Sequence, residues 1–288
     1  MKRIVVTGSD ANYFLLLKDA IRSILDAGLP AQTDLGVMDF GLEDAQRAWL
    51  EDLGAVIATP VEDIPMRNAD PSRPQTALTC RPFLARYFPH HDALMWFDCD
   101  AWLQDRSALS DYLDAAAGGA FVFVREGHRA YRRRPRLFLW RVKHGVVASG
   151  LVDGLKMAAK PSVNAGFFAG PRDHPVFGEW AVALTRVVAK TGTAAPYDQF
   201  ALNHVLSRTR GALRELDPTR NWICEHATPV WDAARSVYVT PGNEDRAIGI
   251  LHLAGEIKTK RVPVRDRTGG QMTKSLLYRD NALAPAPD

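Results

Sequence analysis

Cysteine is scarce: Cys80, Cys99 and Cys224 are the only three in 288 residues, with no C-x-x-C pair among them. An odd set without paired spacing excludes a disulfide framework and points to reduced thiols in a cytoplasmic location. No apolar run approaches the ~18 residues that a membrane span requires. The apolar stretch that follows Lys2-Arg3 ends too soon for a signal peptide. A glycine pattern of the form G-x-G-x-x-G is missing after the first strand candidate, where Gly8-Ser9-Asp10-Ala11-Asn12-Tyr13 stands instead, which disfavours a dinucleotide clamp. The net charge of +3 is too small to imply nucleic acid as a partner. Acidic residues are absent between Glu126 and Asp153, while Arg129, Arg132, Arg133, Arg134, Arg136, Arg141 and Lys143 fall there with Tyr131, Phe138 and Trp140 among them. Such a charge run reads as a solvated, mobile loop, as a surface for anionic lipid head groups, or as a grip on an acidic acceptor.

Hydrophobic content of 47% and charged content of 24% are those of an ordinary globular protein. Strand candidates are Arg3–Thr7, Asp34–Met38, Ala55–Ala58, Ala93–Phe97, Ala120–Val124, Ser162–Ala169 and a strand from Ala247 to Leu253. Helical periods fall at Tyr13–Leu25, Leu42–Leu53 (ended by Gly54), Thr76–Tyr87, Leu109–Ala117, His174–Lys190 and Tyr197–Arg208. Strands alternating with helices predict an α/β fold with a mostly parallel central sheet covered by helices. Pro60, Pro65, Pro71 and Pro74 mark a connection, but no linker is long enough to divide the chain. Residues 1–281 therefore read as a single domain, and 282–288, an Ala/Pro alternation, as a disordered tail.

In such sheets ligands bind beyond the carboxyl ends of the strands, where Thr7–Tyr13 and Asp98-Cys99-Asp100 both fall. Two carboxylates spaced i, i+2 at a strand end can reach one hard divalent cation, whose remaining positions are filled by substrate phosphates and water. Asp10 and Asn12 can hydrogen-bond a base or ribose and Tyr13 can stack on the base; a plain helix N-cap is the bland alternative. In Asn164-Ala165-Gly166, glycine permits close backbone approach and asparagine can bind a sugar hydroxyl. Asp198-Gln199 places an acid and an amide at a helix start, where Asp198 is equally readable as an N-cap. His252-x-x-Gly255-x-x-Lys258 offers a third metal ligand and a cation for a phosphate.

Taken in order, Asp10-Ala11-Asn12-Tyr13, the Arg81 region, Asp98-Cys99-Asp100, Asn164-Ala165-Gly166 with Asp198-Gln199, and His252-x-x-Gly255-x-x-Lys258 resemble glycosyltransferase family 8. These are retaining enzymes of the GT-A fold that include glycogenin and the bacterial lipooligosaccharide galactosyltransferases. The resemblance runs from about Arg3 to Lys258. It implies a nucleotide-binding half of about 1–125 and an acceptor-side half of about 126–281, and a hexose moved from a UDP-sugar to a glycan, lipid-linked or protein acceptor. It further implies that Asp98, Asp100 and His252 hold Mn²⁺ or Mg²⁺, and that Lys258 neutralises the leaving diphosphate. Thr7, Asp10, Asn12, Tyr13, Arg81, Cys99, Asn164 and Gly255 would serve the nucleotide sugar, and Asp198 and Gln199 would face the reacting carbon. The segment Arg129–Lys143 would make any peripheral contact with an anionic inner membrane face. The family usually continues with Pro-Trp after the lysine, whereas Thr259-Lys260 stands here, which bears on lid behaviour and acceptor preference. Two alternatives compete. A D-x-D phosphatase with Asp98 as nucleophile expects Thr or Val where Trp102 stands. A non-catalytic nucleotide-sugar-binding protein on the same fold has no need of Asp98, Asp100, His252 and Lys258 together.

Overall fold

Ala93–Phe97 is apolar without interruption, so a strand made of it must be covered on both faces. The structure is a computed structural model and describes residues 1–67, 75–132, 135–242 and 244–281. Pro71, Pro74, Arg133, Arg134 and the expected tail 282–288 lie outside the described residues.

The chain starts with β1 (Arg3–Ser9), α1 (Phe14–Ala27), β2 (Thr33–Asp39), α2 (Asp44–Asp52) and β3 (Val56–Ala58), and the three strands pair in parallel. Two short helices, α3 (Thr76–Thr79) and α4 (Leu84–Tyr87), lead into β4 (Ala93–Phe97), which pairs in parallel with β1. There follow β5 (Ala101–Leu103), α5 (Ser107–Ala117), β6 (Phe121–Arg125), α6 (Pro135–Ser149), α7 (Leu151–Ala158) and β7 (Val163–Pro171). Strand β7 runs antiparallel between β4 and β6. After α8 (Pro175–Thr191) and α9 (Tyr197–Arg208), β8 (Leu213–Leu216) joins β6 in parallel. The result is a mostly parallel, mixed seven-stranded sheet in the order β3-β2-β1-β4-β7-β6-β8. The last part of the chain adds β9 (Trp222–Ile223), β10 (Val230–Asp232), β11 (Val237–Val239), β12 (Ile250–His252), β13 (Val262–Arg265) and β14 (Gln271–Lys274). These form a β5-β12-β9 sheet and two hairpins.

Successive side chains of a strand face opposite sides, and the core divides accordingly. Leu94 and Trp96 of β4 pack with Phe121 and Phe123 of β6 against Trp180, Leu184 and Phe200 of α8 and α9. Met95 and Phe97 pack with Val122 and Val124 against Ile24 of α1 and Leu109 and Tyr112 of α5. Both faces of the sheet are thus sealed by helices, and polar chemistry is left to the strand ends.

Three sequence expectations need correction. The helix expected over Thr76–Tyr87 is broken into α3, a 3₁₀ turn at Arg81–Phe83, and α4. Pro82 explains this: it has no N–H to donate, its ring collides with the preceding turn, and it disfavours helical backbone at Arg81. The strand expected from Ala247 is confined to Ile250–His252. The basic segment after Glu126 is not a loop throughout, because it holds α6 and α7. These two helices touch through glycine: a Cβ on Gly145 would lie 3.2 Å from the Gly154 carbonyl oxygen, and one on Gly154 would lie 2.5 Å from the Val146 nitrogen. Glycine costs a helix roughly 1 kcal/mol relative to alanine. Forcing a methyl against backbone costs about 1–3 kcal/mol or more, so close packing wins. Gly154→Ala should therefore lower stability in a denaturant titration despite its better helix propensity; a stabilised variant would show that the two helices do not pack this closely.

Candidate active site

Strand β5 decides where the three candidate metal ligands meet. Its antiparallel register with β12 sets His252 opposite Ala101, and the Leu253 N–H donates to the Asp100 carbonyl at 2.8 Å. The imidazole Nε2 then lies 3.3 Å from Asp100 Oδ1 and 3.9 Å from Asp98 Oδ2. Ligand atoms of Asp98, Asp100 and His252 all fall within 4.8 Å of one another, and no other trio of this kind occurs among the described residues. Cys99 points the other way and packs against the cluster of Leu17 and Leu35. Burial pushes its thiol well above the usual range, so it stays protonated.

Each carboxylate is held by a different partner. Arg81 donates through Nη2 to Asp98 Oδ1 at 2.7 Å and through Nη1 to Asp198 Oδ2 at 2.9 Å, which joins the two acids. The Trp96 indole N–H also donates to Asp98 Oδ1, at 2.7 Å. With Oδ1 doubly engaged, Oδ2 is the oxygen turned to His252. A Cβ on Gly166 would fall on that Oδ2, so only glycine leaves room beside it. Asp100 Oδ2 accepts from Lys258 Nζ at 2.9 Å. Burial works against the Asp100 charge, but His252 and Lys258 outweigh it and hold the carboxyl well below the usual range. Burial likewise works against protonation of His252, and Asp100 and Asp98 raise its pKa above the ordinary value. Asp198 is different: burial dominates, Arg81 offsets only part of it, and its pKa is pushed up to about 6.

Behind these residues runs a polar chain. His252 Nδ1 lies 2.9 Å from Asn221 Oδ1, an acceptor, so Nδ1 carries a proton; a second proton on Nε2 would face Asp100, and its loss would leave the Nε2 lone pair on the side of the carboxylates. Asn221 Nδ2 donates to Asn164 Oδ1 at 3.4 Å, and Asn164 Nδ2 donates to Glu126 Oε1 at 3.3 Å. Glu126 Oε2 accepts from Arg141 of α6 at 2.6 Å. Gln199 Oε1 accepts from the Ala165 N–H at 3.4 Å and braces β7 at the same place.

The structure thus brings together Arg81, Asp98, Asp100, Asn164, Asp198, Gln199, His252 and Lys258. Lys258 Nζ also lies 5.0 Å from the centre of the Tyr13 ring, which ties the N-terminal turn to the cluster. Asp10 takes the N-cap alternative with one oxygen, accepting from the Tyr13 N–H at 3.0 Å, and Asn12 is exposed on that turn. Thr7 is buried with its hydroxyl unpartnered. Gly255 has φ +75°, and a side chain there would meet Glu225. Asn221, Trp96 and Glu126 escaped the sequence reading. Asn221 stands in no motif, and Trp96 read simply as part of a buried strand. The donor set, two carboxylates and one imidazole held by Asn221, fits Mg²⁺ or Mn²⁺, cations that also take phosphate oxygens.

No protein-family model matches the chain, and no curated protein matches it. Solved structures do. The galactosyltransferase LgtC, in complex with donor and acceptor sugar analogues, superposes over 88% of this chain and 87% of its own at a TM-score of 0.55 and 17% identity. The bifunctional glycosyltransferase WbbM gives 88% and 46%, TM-score 0.53 and 15% identity. Mouse xyloside xylosyltransferase 1 gives 87% and 97%, TM-score 0.50 and 14% identity. At these identities the likeness establishes the fold, which is that of GT-A glycosyltransferases.

Removing Arg81 would leave Asp98 and Asp198 buried without their shared cation. Loss of one partner from a buried ion pair costs about 3–5 kcal/mol. Arg81→Met should therefore unfold at clearly lower denaturant, and a midpoint equal to wild type would contradict the bridge.

Proposed function

We propose that the chain is a metal-dependent glycosyltransferase of the family 8 kind, which moves a hexose (glucose or galactose) from a UDP-sugar to a glycan, lipid-linked or protein acceptor with retention of configuration. The observation that carries this reading is the meeting of Asp98, Asp100 and His252 within 4.8 Å, with Lys258 resting on Asp100, at the strand ends of the sheet. Glycosyltransferases are the neighbours of this fold, and one of them was solved with donor and acceptor sugar analogues.

Asp98, Asp100 and His252 would hold Mn²⁺ or Mg²⁺, which when bound supplies Lewis-acid stabilisation of the leaving diphosphate. A nitrogen among oxygen ligands leans the site toward Mn²⁺. Lys258 swings from Asp100 to the departing β-phosphate and adds a second positive charge where negative charge develops. Thr7, Asp10, Asn12 and Tyr13 receive uracil and ribose, and Gly255 lets the backbone approach the phosphates. Asn164 binds a sugar hydroxyl. Asp198 and Gln199 face the anomeric carbon, with Asp198, held against Arg81, stabilising its positive charge. Residues 1–281 act as one domain, with the donor in the half up to about 125. Peripheral contact with an anionic membrane face would fall to the exposed α6 residues Arg136, Phe138, Leu139, Trp140 and Lys143. No helix among the described residues is long and apolar enough to cross a membrane.

The test is hydrolysis or transfer of UDP-glucose and UDP-galactose with and without Mn²⁺. Asp100→Asn should lower turnover at least ~100-fold, the usual loss for one key electrostatic group. Turnover by Asp100→Asn at the wild-type rate, or full wild-type turnover in EDTA, would refute the metal clamp. Metal-dependent binding without any turnover would favour the non-catalytic alternative.

A further inference from the structure

Three segments leave the candidate site and meet again at a groove of about 790 Å³. The first passes Glu126, which braces Asn164, and continues to Arg129 and Arg132. The second follows β9, backs His252 through the Cys224 N–H donating to its carbonyl at 2.9 Å, and continues to Ala227 and Thr228. The third carries Lys258 and continues to Pro263 and Arg265 on β13. Arg129, Arg132 and Arg265 line this groove, and no carboxylate does among the described residues. Arg129 is paired outside the lining with Glu244, at 2.9 Å. Arg132 and Arg265 meet no carboxylate among the described residues.

Other cavities of the molecule differ in this respect. One of about 990 Å³ sets Asp19 and Asp26 among its arginines, and two smaller ones set Asp153 beside Arg208 and Glu179 beside Arg186. Proline walls the arginine groove at Pro229, Pro241 and Pro263. A concave, rigid site with uncompensated guanidinium groups draws an oxyanion, because a guanidinium fork matches phosphate geometry and a preformed wall lowers the ordering cost.

We propose that this groove binds a phosphate or diphosphate group carried by the acceptor, so that the enzyme selects phosphorylated acceptors. The proposal rests on the transferase reading of the site that these three segments leave. A lipid headgroup phosphate shares the same chemistry, and the experiment separates the two sources. Arg132→Gln/Arg265→Gln alters two exposed side chains, and an unchanged melting temperature verifies its fold. Inorganic pyrophosphate is titrated calorimetrically into wild type and variant in EDTA, which keeps it off the metal site. In parallel, flotation measures binding to phosphatidylglycerol vesicles. A pyrophosphate affinity about tenfold or more weaker in the variant is expected, since a charge-assisted hydrogen bond is worth about 1.5–3 kcal/mol. Loss of vesicle binding with no pyrophosphate binding to the wild type would overturn acceptor phosphate in favour of a headgroup. Equal behaviour of both proteins in both arms would overturn the site altogether. UDP-sugar binding by the wild type with Mn²⁺ is measured alongside: its absence would remove the transferase reading, while the groove still stands or falls by pyrophosphate.

Discussion

Arg81 between Asp98 and Asp198 is the contact on which the rest of the site depends. Without a guanidinium there, two carboxylates would sit buried within reach of each other and of Asp100, and like charges in a partly dry site disfavour ionisation. Arg81 neutralises the pair and engages Asp98 Oδ1, which leaves Oδ2 for the cluster. Lys258, and His252 whose pKa the two carboxylates raise, offset Asp100 in the same way. Exchangeable groups thus offset the carboxylate charge on one side of the site and a fixed cation does so on the other. Were a dication to join the carboxylates, Arg81 would stay, while His252 would have to give up its proton, since a metal ligand must be deprotonated, and Lys258 would be released.

Much of the fold was legible because its central strand leaves little choice. An uninterrupted apolar run flanked by helical periods requires a sheet covered on both faces, and Asp98 and Asp100 then have only the strand end to occupy. Tyr197–Arg208 and Ala93–Phe97 stand as read. The helix break at Pro82 was also written in the sequence, since proline cannot sit inside a helix without cost. Arg81 opens the 3₁₀ turn that stands at this break.

Other parts were hidden for physical reasons. Strand β5 is three residues long, too short to show a period, yet it sets His252 beside Asp100. Asn221 fixes the His252 tautomer from a 3₁₀ turn with no recognisable spacing. Helix α6 hides its period because Phe138, Leu139 and Trp140 are exposed while its contact face is built on glycine. Arg141 looked like one more member of a charge run, but it is bound to Glu126 and so to the polar chain behind Asp98, Asp100 and His252. The basic segment is therefore three things in one: a groove wall, an exposed helix face and a brace for the site.

The most direct measurement is the melting temperature of the protein with Mn²⁺, with UDP-glucose or UDP-galactose, and with both together. A site built from Asp98, Asp100, His252 and Lys258 needs metal and diphosphate to complete each other, so the shift with both should exceed the sum of the separate shifts. A UDP-sugar shift that is the same in EDTA, or no shift under any combination, would contradict the metal–diphosphate site.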